Sequence, residues 1–590
     1  MRIKPEIGKF AAGMALAATV LTSAAVASAT SKLGWFELDG AIREQPHPLA
    51  WLLGSDEEPT LRNILSIFDD AATRPNLDGL VIRIKDPSLN RAQIEELRRG
   101  IKEVRDAGRD VYVFADNYGP GSYALAGAAD YVLLQKGGVI SLPGLYAEEM
   151  YLAGTLNWLG IQADFLQVGQ YKGASEPLTR TGPSEQWSRN IDHVLDDLYE
   201  QSLQRIMSDR RMDRQQLEET LQNTLAMDSD DAVEAGLIDA DPDIRELRSF
   251  FEKTRNDSIS LIKMRKNREE QNIFQVFNAF LNMSKPSHKA TRPTVAVLHI
   301  TGTIIDGDSS TGGMFGGESV GSRTIREALK EIEEDDLVKA VVVRIESPGG
   351  SAVASESMWQ GLKRLHGEKP VYVSVGSLAA SGGYYCAVGG EKIFVNESSI
   401  VGSIGVVGGK LILKGLYDKI HLNVYPRSRG PLAGVMSSVR GFSDLERKKL
   451  QEMMEDTYAV FAGHVSAARK GIDLSRTAEG RLFTGRQAIA MNMADEIGGL
   501  PETIKAAADA VDLGKGEYDV LDYPAPESLE NFVSSLIKTE APSASSSLAA
   551  TLREIVGENH WPEVRDTLNG LLLMRNERVL LISPNVLITD

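Results

Sequence analysis

Cysteine is nearly absent. The 590-residue chain has one, Cys386, so no disulfide forms within it. Cys386 reads as a small buried side chain, with a reactive thiol as the alternative. No Cys/His cluster has zinc spacing, and neither a metal nor another cofactor is expected. Histidine is scarce too. None of the eight has a context that pairs it with a serine: His366 ends a helical pattern and His421 starts a strand-like run. Positive charge is in deficit, with 64 Lys and Arg against 82 Asp and Glu, a net charge of −18. That balance argues against nucleic acid as a partner.

A long uncharged run lies near the N-terminus. Arg2, Lys4 and Lys9 precede an Ala-rich stretch from Phe10 to Ser31, which contains Ala27-Ser28-Ala29. The stretch is long enough to cross a bilayer, and its end resembles a cleavage site. Residues 1–32 therefore read as a signal peptide or an uncleaved transmembrane anchor, with a buried soluble helix as the alternative. Either of the first two puts the rest of the chain across the membrane, because the positive end stays cytoplasmic.

What is present is a repeat. Arg83, Pro87 and Tyr123 match Arg344, Pro348 and Tyr384, each pair 261 residues apart with no gap between them. Each copy alternates short apolar runs with helical patterns. In the first copy the runs are Leu80 to Ile84, Val111 to Phe114 and Tyr131 to Leu134, with a helix over Arg91 to Ala107. In the second they are Val295 to Ile300, Ala340 to Ile345, Val371 to Val375 and Ile393 to Val395, with a helix over Ser355 to Leu365. Continuous apolar strands alternating with helices predict an α/β fold, each copy a parallel sheet with helices packed on it. Residues 33–255 and 293–525 are the two domains. The link 256–292 reads as a helix followed by a loop, and 526–590 as a tail. Asp306 to Ser322 reads as a mobile Gly/Ser-rich loop, Glu540 to Ser547 as a flexible linker. Leu548 to Asp590 carries no readable chemistry.

The copies differ where chemistry would lie. Ser381, in Ala379-Ala380-Ser381-Gly382-Gly383-Tyr384, faces Pro120 in the first copy. A serine needs a base. Without a histidine, the alternative is a lysine kept neutral by an apolar pocket. Lys172, after the strand-like Ala163 to Val168, faces Ala433 in the second copy. One copy has the serine and the other the lysine, which is what a shared site leaves behind. An ordinary solvated lysine is the competing reading. Ser347-Pro348-Gly349-Gly350-Ser351 closes a strand and opens a helix. Gly349, Gly350 and Gly382 can bring backbone N–H groups to an oxyanion, or they form a plain turn. The matching Asp86-Pro87-Ser88-Leu89 has no glycine. Ser403, in Gly402-Ser403-Ile404-Gly405, faces Leu142 and offers a second hydroxyl, or a simple strand-end turn.

These motifs resemble the long form of the signal peptide peptidase A family, also called protease IV. The matching pieces are Tyr171-Lys172-Gly173-Ala174-Ser175-Glu176-Pro177, Ser347 to Gly350, Ala379 to Tyr384, Gly402 to Gly405 and Phe483-Thr484-Gly485-Arg486-Gln487-Ala488. The resemblance runs from the N-terminal segment to about residue 525. It implies two tandem domains of the Clp protease and crotonase type and a Ser/Lys dyad across them. By motif, Ser381 is the nucleophile, Lys172 the general base and Ser403 the hydroxyl that orients it. It also implies a homotetramer anchored in a bacterial inner membrane, its catalytic domains periplasmic. The substrates implied are cleaved signal peptides and other unfolded peptides. Two other functions fit the same fold: a non-catalytic membrane scaffold and a crotonase-like enzyme acting on acyl thioesters.

Overall fold

The computed structural model describes residues 30–46, 59–264, 288–310 and 318–525, with 553, 561, 565, 579–583 and 587–589. The expected membrane segment up to residue 29, residues 311–317 of the Gly/Ser-rich loop and the linker at 540–547 lie outside them. No helix among the described residues is long and apolar enough to cross a membrane.

The first copy supplies β1 (Thr30–Ala41), β2 (Gly79–Ser88), β3 (Asp110–Ala115), β4 (Tyr131–Leu134), β5 (Gln162–Val168) and β6 (Ser258–Lys263). Five of these form a parallel sheet in the order β4-β3-β2-β1-β6. The apolar stretches of β2, β3 and β4 are buried on both faces, which is why they read as continuous apolar runs. Leu80, Ile82 and Ile84 point into one core with Ile64 and Phe68 of α1 (Leu61–Thr73) and Leu97 and Ile101 of α2 (Arg91–Asp106). Leu33, Val81 and Tyr112 point the other way, against Leu247 and Phe251 of α3 (Leu247–Arg255). The link after α3 was expected to be helical. Its first part is instead the edge strand β6, parallel to β1. Ser31, expected at the end of the membrane run, lies in β1.

The second copy repeats the plan with β7 (Thr294–Thr301), β8 (Val338–Ser347), β9 (Gly349–Ser351), β10 (Val371–Ala380), β11 (Lys392–Val395), β12 (Ile400–Gly402), β13 (Val406–Ile412), β14 (Leu482–Thr484) and β15 (Asp519–Tyr523). Its main sheet runs β14-β12-β10-β8-β7-β15, with β11 also beside β10. The helix Ala352–His366 stands 261 residues after α2, and Lys414–Lys419 the same distance after the helix Ala153–Leu159. The repeated tyrosines do one job in both copies: Tyr123 and Tyr384 each donate a buried hydroxyl to a backbone carbonyl, of Leu237 at 2.7 Å and of Met493 at 2.8 Å. The strand-like run expected from His421 is irregular.

Among the contacts that join the copies, two stand out. β5 leaves the first sheet and pairs antiparallel with β13, from Gln162 opposite Ile412 to Val168 opposite Val406. Helix α2 presents its charged side to the second copy. Glu96 accepts from the Arg344 guanidinium at 2.8 Å, from the Asn396 amide at 3.1 Å and from the Leu500 N–H at 2.9 Å. Arg344 also donates to Glu44 at 2.8 Å, and the charged side chains of Arg344, Glu96 and Glu44 are buried.

Candidate active site

Ser381 terminates β10. The chain turns there, with φ 53° and ψ −111°, into a short helix, Gly382–Ala387. A non-glycine residue at positive φ stores strain and persists only when its surroundings fix it. Here they do: the Ser381 N–H donates to the Gly402 carbonyl at 2.8 Å, and its carbonyl accepts from the Tyr385 N–H at 2.8 Å. The Ser381 hydroxyl is fully buried.

Lys172 reaches it from the other copy. The β5–β13 pairing carries the chain to Val168, and the Tyr171 N–H then donates to the Glu479 carbonyl at 2.8 Å, pinning the turn to the second copy. Trp187 lies against Gly173, and clusters with Ala380 and Leu482 beside the Ser381 turn. Lys172 is wholly buried. Its Nζ lies 2.7 Å from Ser381 Oγ, 2.9 Å from Ser403 Oγ and 2.9 Å from the Ser403 carbonyl oxygen. No carboxylate is among these partners. Burial alone holds the amine's pKa well below its usual 10.5. A neutral amine has two N–H donors and one lone pair. In that neutral form, with both donors on the two Ser403 oxygens, the lone pair would face the Ser381 hydroxyl. Ser403 is itself held at φ 54°, with its N–H donating to the Arg481 carbonyl at 2.6 Å.

The three glycines converge beside Ser381, but not equivalently. The Gly349 N–H is turned onto Ser347 Oγ at 3.2 Å, so it is already engaged. The Gly350 and Gly382 amides are neighbours: a Cβ on Gly382 would lie 3.2 Å from the Gly350 nitrogen and 2.5 Å from Ser355 Oγ. Ser351 ends the motif by accepting from the Ala354 N–H, capping the helix Ala352–His366. Cys386 is buried and carries its proton, its thiol pushed up to about 12 by desolvation. Among the described residues no histidine hydrogen-bonds to Ser381 or Lys172, and no group of side chains could hold a metal. In the first copy a cavity of about 290 Å³ has Pro120 and Leu142 in its wall, where the second copy has Ser381 and Ser403.

One contributor was invisible in the sequence. Leu580–Ile582, here β16, lies antiparallel to β9 and to β13. The tail thus enters the site, although no motif marks it.

The profile of peptidase family S49 matches residues 103–256 and 363–514, a little over half of the chain. The chain is 28% identical over 449 residues to the chloroplastic serine protease SPPA of Arabidopsis thaliana, a match covering 75% of this chain and 64% of that one. It is 28% identical over 476 residues to Protease 4 of Haemophilus influenzae, covering 76% and 72%. Protease 4 of Salmonella typhi is 26% identical over 474 residues, covering 78% and 74%. A matching profile in each copy agrees with the duplicated fold, and the chain belongs to peptidase family S49 as a serine peptidase.

Proposed function

We propose that Lys172 is the general base and Ser381 the nucleophile of a dyad built from both copies. The lone pair of Lys172 takes the hydroxyl proton as Ser381 attacks a peptide carbonyl. The Gly350 and Gly382 amides receive the oxyanion, and Gly349 shapes the turn that presents them. Lys172 then gives its proton to the leaving amine, and later activates water against the acyl-enzyme. Ser403 holds the amine in place throughout. In this reading 33–255 is the lysine-bearing domain and 293–525 the serine-bearing one.

The observation that carries the reading is the 2.7 Å contact between a wholly buried amine and a buried hydroxyl. Burying a lysine without a counter-charge opposes folding, and a scaffold gains nothing from it. Nothing in the site favours acyl thioester chemistry either. The substrates proposed are cleaved signal peptides and other unfolded peptides, since an extended chain best fits a groove between strands. The place proposed is the bacterial inner membrane with the site on the periplasmic side, from the charges at Arg2, Lys4 and Lys9 before the uncharged run. Assembly into a homotetramer is supported by exposed apolar side chains, Trp158, Ile420, Leu422, Val424 and Tyr425.

Labelling with a fluorophosphonate, followed by mass mapping of the modified residue, tests the dyad. The label is expected on Ser381 and is expected to vanish in Lys172→Ala. A label elsewhere, or equal labelling without the lysine, overturns it.

A further inference from the structure

The first copy keeps a cavity where the second has its serine. Four helices bound it: the start of α2, the helix Pro120–Ala126, the second half of the helix Glu185–Arg210, and the end of the helix Arg214–Leu221. Pro120 and Leu142 replace Ser381 and Ser403, so the counterparts of both hydroxyls are gone. The volume of about 290 Å³ is close to the lower end for small-ligand sites, which begin near about 300 Å³. The wall combines aliphatic side chains, Ile94, Ala124, Leu203 and Leu221 among them, with the guanidiniums of Arg91 and Arg205. Glu95 is the carboxylate that both guanidiniums feel, and Arg205 donates to it at 3.0 Å. Glu218 also lines the cavity, but Arg214 pairs with it at 2.7 Å. Two cations against Glu95 leave this wall positive. Arg91 also opens α2, whose first turn has no acidic residue, so the positive end of the helix dipole adds to the same field.

The arginines are held in place. Glu95 accepts from the Glu397 and Ser398 N–H groups of the second copy at 2.8 Å and 3.2 Å, so the carboxylate that grips Arg205 is itself fixed. Arg91 donates to Ser202 Oγ, another wall residue, at 3.4 Å. Desolvation and the nearby Arg205 charge lower the Arg91 pKa to about 10. A space left by imperfect packing has no use for two desolvated like charges, which oppose folding. An anion between them offsets that cost, and an aliphatic body fills the rest. We propose that this cavity is a binding site for a small aliphatic carboxylate, with the chain against Ile94, Ala124 and Leu221 and the carboxylate on Arg91 and Arg205. Fixed donors beside a preformed apolar space lose little freedom on binding such a ligand. Two sources share this chemistry, a short fatty acid and the free C-terminus of a short apolar peptide. The site contains neither Ser381 nor Lys172 and does not depend on the dyad reading.

The test is titration calorimetry on the full chain carrying Ser381→Ala, so that no peptide is cut. The probes are octanoate, octanol, octylamine, the tripeptide Ala-Leu-Leu and its C-terminal amide. The carboxylates are expected to bind at one site per chain, and octanol, octylamine and the amide at least about tenfold more weakly. Two further variants place the site. Arg91→Gln removes a charge and Ala124→Leu fills the space without removing a charge. Each is expected to weaken carboxylate binding by about tenfold, with circular dichroism unchanged, and Arg91→Lys is expected to restore part of the loss. Tighter binding of Ala-Leu-Leu than of octanoate assigns a peptide end as the ligand, and the reverse order assigns a fatty acid. Both orders support the site. Octanol binding as well as octanoate overturns the carboxylate assignment. Undiminished binding in both Arg91→Gln and Ala124→Leu puts the ligand elsewhere and overturns the site, as does the failure of both carboxylates to bind.

Discussion

Lys172 Nζ and Ser381 Oγ are 2.7 Å apart although 209 residues separate them in sequence. The contact exists because β5 crosses to the second copy's sheet and delivers the lysine there. Burial then pushes the amine's pKa well below its usual 10.5, so position and lowered pKa have one cause.

Removal of either partner should stop turnover. Ser381→Ala and Lys172→Ala are each expected to lower kcat/KM for a peptide substrate by about 10³-fold or more. Far-ultraviolet circular dichroism should be unchanged. Retention of near-normal cleavage by the lysine variant refutes the assignment of the base.

The pH dependence follows from the sign of the Lys172 shift. Its folded pKa is well below 10.5, and only the neutral amine accepts a proton. Activity should therefore rise with pH, and a profile flat on the acid side rules out a titrating base. Stability moves the same way. Below pH 10.5 the unfolded chain binds a proton that the folded site refuses, so folding weakens as pH falls towards the folded pKa. Lys172→Met should abolish that slope and be more stable than the parent near pH 7, with the gap closing as pH approaches 10.5. Thermal melts of the two proteins across pH check this.

Ser403 is placed to position the amine. Because it sits at φ 54°, Ser403→Gly removes the hydroxyl without adding backbone strain, whereas Ser403→Ala does not relieve it. The glycine variant should fold normally and lose about tenfold to about 100-fold in kcat, with KM little changed. An unaltered kcat shows that the Ser403 carbonyl alone suffices to orient Lys172.

Arg344 ties the copies together through Glu44 and Glu96. Arg344→Met leaves Glu44 and Glu96 buried without their cation. A loss of about 3–5 kcal/mol is expected in chemical denaturation, since removing one member of a buried ion group strands the others. A loss below about 1 kcal/mol contradicts the buried network.

Much of this was legible beforehand. The strands around Val81, Val113 and Val342 showed as short apolar runs because both faces of a parallel sheet are covered. Ser381 and Lys172 stood out because each occurs in one copy and is missing from the other. The first part of the link hid its nature: Ser258–Lys263 is a strand only because the edge of β1 is there to pair with it. The Gly349 amide was expected to face an oxyanion, but the turn directs it to Ser347 Oγ. Leu580–Ile582 carries no motif, and its place in the groove comes from backbone pairing, which any aliphatic strand can make.

The sequence by itself determined the duplicated α/β plan and placed Ser381 in one copy and Lys172 in the other, since periodicity and residue identity are local properties. Tertiary structure decided that the lysine is dry, that the Gly349 amide turns onto Ser347 Oγ, and that the tail lies against the glycine turn. Each of those depends on what surrounds a group in space, and desolvation and strand pairing are set by neighbours hundreds of residues away.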